Sequence, residues 1–290
     1  MPTVTTADVF GLHRTHLIGV AYRLTGSIAD AEDAVQEAWP RFAKAEGVKD
    51  ARGWLTTVVS RICLDRLRSA AVRRETYVGS WLPEPLLTTG EQDDPLASVV
   101  RSDGVRMAAL VVLDRLTPDQ RVAFVLHDAF SLPFNEISEV LGVSEASARQ
   151  HASRARKAVA DADPPPRAAL AEQQEVLEKF MRAMASGNID AVLELLHPDA
   201  VMIGDGGGKV RTAVNTVTGA EKVARFFLGL MQKYGFPEEH RPMFVNGELG
   251  FVMPAYGEVT ARVTTFTVHE GKVAAVYDIA NPDKLTHVAF

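Results

Sequence analysis

Arg149, Gln150 and Arg154 lie in a stretch whose residue types and spacing suit reading the edges of base pairs. An arginine fork matches two acceptors on guanine, and a glutamine amide matches the donor–acceptor pair on adenine. The flanking pattern supplies the frame. Residues 134–141 carry Ile137, Val140 and Leu141 at helical spacing, Gly142-Val143 reads as a tight turn, and Ser144 is a helix cap. The helix that follows, over residues 145–160, presents Glu145, Ser147, Arg149, Gln150, Ser153 and Arg154 outward, with Arg156 and Lys157 one turn on for phosphate. This is a helix-turn-helix pattern.

A second basic set lies in residues 52–74, where Arg52, Arg61, Arg66, Arg68, Arg73 and Arg74 face a single acid, Asp65. By charge alone this is a local basic patch able to hold nucleic acid, with Arg61, Asp65, Arg66, Arg68, Arg73 and Arg74 as the candidate contacts. Trp54 sits within the apolar face of that helix and reads as core, with a base-stacking platform as the alternative. Just upstream, Asp30, Ala31, Glu32, Asp33, Gln36 and Glu37 form an acidic helical stretch that alone reads as a solvated face; its position just before the basic helix favours a surface for arginines on a partner helix.

These groups need elements to position them. Residues 1–74 read as helices, with Val9, Leu12, Leu17, Val20 and Leu24 on one face and Gly26 as a stop. Pro40 predicts a kink or early stop of the second helix near Trp39. Residues 77–96 read as a connector from their prolines, glycines and acids, and helical pattern returns over residues 103–160. After a proline run at residues 164–166 the pattern changes in kind. Helices are expected over residues 168–186, 189–196 and 220–234, and strands over 244–249, 258–268 and 273–279. The expected domains are 1–75, a linker at 76–102, 103–162, and 167–290.

The chain has 290 residues, one cysteine and a net charge of −6. Residues 1–165 hold 19 basic and 22 acidic side chains and residues 166–290 hold 12 and 15, so any DNA affinity comes from local patches. A lone cysteine excludes a disulfide framework, the histidines lack metal-ligand spacing, and no cofactor motif or catalytic set is found. No long apolar run or leader pattern is present, so a cytoplasmic location is expected.

Residues 117–159, TPDQRVAFVLHDAFSLPFNEISEVLGVSEASARQHASRARKAV, closely resemble region 4 of bacterial sigma factors, which reads the −35 element. Residues 21–39 resemble regions 2.1–2.2, which grip the β′ clamp helices of RNA polymerase, and residues 53–74 resemble regions 2.3–2.4, which open the −10 element. The order and spacing are those of the extracytoplasmic-function (ECF) sigma factors. The remainder resembles the SnoaL-like, nuclear-transport-factor-2-like cone. YVGSWLPEP at residues 77–85, DGGGK at 205–209 and NPDKL at 281–285 together resemble the ECF41 subgroup. The resemblance implies two all-α sigma domains, σ2 and a helix-turn-helix σ4, followed by an α+β cone. It also implies core polymerase (β′ clamp helices, β flap) and promoter DNA as partners.

It further implies that the cone controls the sigma domains in cis, with no membrane partner and no separate anti-sigma factor required. Glu145, Ser147, Arg149, Gln150, Ser153, Arg154 and Lys157 would meet −35 DNA. Trp81, Leu82, Pro83 and Glu84 of the linker would meet Asp205, Gly206, Gly207, Gly208 and Lys209 together with Asn281, Pro282, Asp283, Lys284 and Leu285. Lys209 and Lys284 are expected to pair with Glu84. Alternatives are a DNA-binding regulator independent of polymerase and a SnoaL-type enzyme or ligand sensor fused to a DNA-binding module, with Asp205, Asp278, Tyr277 and His197 lining its pocket.

Overall fold

The computed structural model describes residues 5–74, 77–89, 105–235, 237 and 239–290, without the side chains of residues 71–74. The chain forms two compact units: Met1–Thr76 with Ala109–Pro164, and Tyr77–Ala108 with Pro165–Phe290.

The first unit is helical. Helix α1 (Thr6–Thr25) starts on a Thr5–Asp8 capping box and ends on left-handed Gly26. Ser27 caps α2 (Ile28–Ala43) by accepting from the Asp30 amide. Contrary to the sequence expectation, α2 continues through Pro40 for another turn. Phe42 on that turn is buried, with its ring 5.7 Å from Trp54 and 6.3 Å from Phe10. Aromatic packing there offsets the missing backbone donor. Helix α3 (Ala51–Arg74) packs against both, around Leu17, Val20, Leu24, Val35, Leu55 and Val59.

Helix α4 (Met107–Asp114) leads to α5 (Pro118–Phe124), which opens on a Thr117–Gln120 capping box and runs into a π turn at Val125–Ala129. Helix α6 (Phe134–Leu141) ends on left-handed Gly142, and Ser144 caps α7 (Glu145–Ala162). Ala148, Ala152 and Ala155 form the buried stripe of α7, so small side chains set its close approach to α5 and α6. Helix α3 also packs on α5 and α6. Arg121, 1% exposed, ties these helices together by donating to Arg23 O at 3.3 Å and Asp114 at 3.1 Å.

The second unit is a curved seven-stranded sheet with helices α8 (Leu170–Ser186), α9 (Ile189–Leu195) and α10 (Ala220–Tyr234). In chain order its strands are β1 (Leu87–Thr88), β2 (Leu196–Asp205), β3 (Val217–Thr218), β4 (Arg241–Val245), β5 (Glu248–Met253), β6 (Arg262–His269) and β7 (Lys272–Ile279). The spatial order is β1-β4-β5-β6-β7-β2-β3, with only β2 and β7 parallel. Phe180, Leu177, Val192, Met202, Phe266 and Val276 centre its core.

Two sequence expectations change here. The strand expected over residues 244–249 is a hairpin corner: Asn246 and Gly247 both take positive φ, and β4 and β5 pair across them. An Asn-Gly pair at such a corner matches the right-handed twist of the flanking strands. Strand β2 (Leu196–Asp205) departs from the sequence expectation, which has a helix to Leu196, a glycine-rich segment from Gly204, and no element between. Residues 77–89 and 105–108, read as part of a connector and the start of a helix, fold into this unit, where β1 adds to the sheet edge on β4.

Candidate functional sites

The exposed face of α7 carries Glu145, Arg149, Gln150, Ser153, Arg154 and Lys157. Ser147 is half-buried, and its hydroxyl lies 2.9 Å from that of Ser144 in the cap. Arg149 is held along the helix by an ion pair with Glu145 and lies 4.7 Å from the Phe134 ring centroid. The guanidinium is therefore pre-oriented on a rigid element. Arg156, by contrast, donates to Asp128 at 2.9 Å and contacts His127 Nδ1 at 2.9 Å, so it fastens α7 to the π turn.

On α2, Glu32, Asp33, Gln36 and Glu37 are exposed and Asp30 is half-buried. Ala31 is fully buried and belongs to the helical core, which corrects its place among the partner-contacting residues. Arg66 of α3 is also reassigned. Its guanidinium donates to Asp30 Oδ1 at 3.1 Å and lies 3.6 Å from Asp33 and 3.7 Å from Glu37. It organises the acidic face rather than extending the basic one. Arg61 donates to Glu139 O at 2.9 Å and Arg68 to Asp119 at 2.9 Å, while Asp65 is exposed. The side chains of Arg73 and Arg74 lie outside the described residues.

The linker site centres on Asp205, 1% exposed at the end of β2. Its Oδ1 accepts from the Tyr77 hydroxyl at 2.5 Å and the Gly207 amide at 3.1 Å. Its Oδ2 accepts from the Leu82 amide at 2.8 Å and Lys284 Nζ at 2.6 Å. One carboxylate thus takes four donors, which meets its demand in a buried site. Burial, and then the hydrogen bond to Asp205, push the Tyr77 phenol well above its ordinary value and keep it a donor. Lys284, 7% exposed, also donates to Leu82 O and places Nζ 4.0 Å from the Trp81 ring centroid.

The three linker motifs therefore meet around one buried ion pair. Asn281 Nδ2 donates to the Tyr77 hydroxyl at 2.9 Å, and Asn281 caps the 3-10 turn Pro282–Lys284. Gly207 and Gly208 have φ of +60° and +70°, and a Cβ on Gly207 would stand 2.4 Å from Asn281 Nδ2. Lys209 pairs with Asp283 at 2.6 Å rather than with the expected Glu84, and the close ion pair of Lys284 is to Asp205. Leu82, Pro83 and Leu86 are buried beside them.

Sequence reasoning missed the second anchor. Asn246 accepts from Leu86 N at 3.1 Å and donates to Val105 O at 2.7 Å, so it holds the linker at Leu86 and the chain again at Val105. His287 contacts Pro85 O at 2.9 Å. The available signal was the Asn246-Gly247 pair itself. Of the four residues weighed for a pocket, Asp278 lines a cavity, Asp205 holds the linker, Tyr277 is buried without lining it, and the His197 ring lies 6.0 Å from that of His269.

Models of known families match three segments: Sigma-70 region 2 over residues 9–73, Sigma-70 region 4 over 106–159, and the SnoaL-like domain over 177–288. The chain is 54% identical to the ECF RNA polymerase sigma factor SigJ of Mycobacterium tuberculosis, over 94% of this chain and 91% of that one. The chain belongs to the ECF RNA polymerase sigma factors. This family member is also 32% identical to the probable ECF sigma factor SigI of the same species, over 94% and 92% of the two chains. The crystal structure of M. tuberculosis SigJ superimposes with a TM-score of 0.82 at 52% identity, covering 97% of this chain and 98% of that one. Among the described residues no helix is long and apolar enough to cross a membrane.

Proposed function

We propose that this chain binds core RNA polymerase through the acidic face of α2 and directs it to promoters read at −35 by α7 and at −10 by α3. The cone formed by the second unit restrains that activity in cis by holding the linker, without a separate anti-sigma factor. The observation that carries the second half is the clamp at Asp205 and Lys284, which joins all three linker motifs in one buried network. The first half rests on membership of the sigma factor family and on the exposed acidic and basic faces. Arg61 and Arg68 are engaged on α6 and at the start of α5, so their use on DNA requires α3 to part from those helices. A held linker limits such parting, because it sets how far the chain between α3 and α4 can extend.

The test is multi-round run-off transcription with purified core polymerase, comparing the full chain with Asp205→Asn and Trp81→Ala. Release of the linker raises the yield of specific transcript. Unchanged yield in both variants, with the linker shown to be free by hydrogen exchange, overturns the cis restraint. Loss of −35 discrimination in Arg149→Ala or Arg154→Ala, worth about 1–3 kcal/mol for a base-contacting arginine, identifies the reading residue.

A further inference from the structure

The second unit carries an open cavity of about 590 Å³, walled by α8, α10, strands β2, β5, β6 and β7, and residues 209–212 and 256–260. This lies within the range of about 300–1,000 Å³ that accommodates small-molecule ligands. Phe180, Met184, Met202, Phe227, Met231 and Phe266 make most of the wall apolar. Lys209, Arg211 and Glu258 also line it, and one polar cluster of the lining is largely buried. There Asp278 accepts from Thr264 at 3.1 Å, Thr212 at 3.1 Å and Arg262 at 3.0 Å. Arg262 Nε donates to Thr260 O at 3.1 Å, and no other protein acceptor meets this guanidinium among the described residues. Thr260 Oγ1 is buried with no hydrogen-bond partner and also lines the cavity.

We propose that this cavity binds a largely apolar, ring-containing small molecule, one of whose oxygens accepts hydrogen bonds from Arg262 and Thr260. Phenylalanine and methionine side chains favour ring faces and edges over a flexible chain. A buried hydroxyl and a guanidinium with unused donors are best satisfied by an oxygen acceptor.

The site is also wired to the linker. Lys209, Val210, Arg211 and Thr212 line the cavity, while Asp205 at the start of the same loop holds Tyr77 and Leu82. Thr212 reaches Asp278 on one side, and a Cβ on Gly208 would stand 3.0 Å from Val78 on the other. Occupancy therefore shifts the stability of the linker contact. This second step rests on the cis restraint proposed above; binding itself does not.

The test titrates the full-length protein with 1-anilinonaphthalene-8-sulfonate, whose fused rings and sulfonate oxygens match the site. One saturable site per chain is expected, weakened roughly tenfold or more in Met231→Trp, which fills the cavity, and in Arg262→Met. Met181→Trp on α8 repeats the filling test should Met231→Trp lower the Tm. 2-Naphthoate displaces the probe and decanoate does not; preferential displacement by decanoate overturns the ring assignment. Absence of saturable binding, or binding indifferent to the filled cavity, overturns the site. Bound probe changes hydrogen exchange in residues 82–88, and unchanged exchange overturns the coupling alone. The linker phenotype of Asp205→Asn is read without any ligand, so failure of the restraint and failure of the pocket are separable.

Discussion

Asp205→Asn removes one charge from a buried pair and keeps the side chain's shape. In the native protein Oδ2 lies 2.6 Å from Lys284 Nζ and 2.8 Å from Leu82 N, with Lys284 7% exposed and Asp205 1% exposed. An asparagine oxygen can serve only some of the four donors, and its own amide hydrogens then face the Gly207 amide, or the Leu82 amide and Lys284, which offer no acceptor. Removing one partner of a buried pair costs about 3–5 kcal/mol, because the other charge is left without compensation. Leu82 O and the Trp81 face still touch Lys284, which puts the expected loss near the lower figure. At about 2–4 °C per kcal/mol for a domain of this size, the melting transition of the second unit falls by roughly 6–12 °C. Hydrogen exchange of the Leu82 and Leu86 amides rises with it. Lys284→Met in the same chain restores much of the loss, since replacing both partners removes the stranded charge. An Asp205→Asn variant with unchanged melting and unchanged linker exchange refutes the clamp as the structural centre of the linker site. So does a double variant that is simply additive.

Further outcomes follow from the same geometry. Gly207→Ala forces a Cβ against Asn281 at a positive φ and costs about 1–3 kcal/mol, measured by thermal unfolding; a neutral result places no strain there. Arg61→Ala with Arg68→Ala removes two exposed contacts worth under about 1 kcal/mol each, so denaturant midpoints barely move while promoter opening, followed by permanganate reactivity, drops. A large stability loss with unchanged opening assigns both arginines to packing alone. His16 is pushed down to about 4, first by burial and then by Arg52, His13 and Arg23. A base whose folded pKa lies below its unfolded value contributes stability that is full above about pH 6.5 and is lost as pH falls toward 4. Solvent screening reduces this to about 1–2 kcal/mol, and His16→Gln removes that share of the difference between urea midpoints at pH 7 and pH 4.5.

The helical elements were legible because their signals are local. Ser144 caps α7 by accepting from the Ser147 amide three residues on, and Gly26 and Gly142 end α1 and α6. Helices α3 and α7 and the segments at residues 77–85, 205–209 and 281–285 were legible for the same reason. Partners across the fold were not. Arg66 reads as one more arginine until α2 brings Asp30 beside it, and Ala31 reads as part of an acidic stretch until helical rotation turns it inward. Asp205 gave no hint that one carboxylate would serve both Tyr77 and Lys284, because those residues lie 128 and 79 positions away. Pro40 marked a local cost that the burial of Phe42 overrides.

Promoter-directed run-off transcription with purified core polymerase and this chain alone tests the central claim. A discrete transcript is expected that starts downstream of a −35/−10 pair and disappears when either element is scrambled. A chain that binds DNA yet yields that transcript only when another sigma factor is added contradicts it.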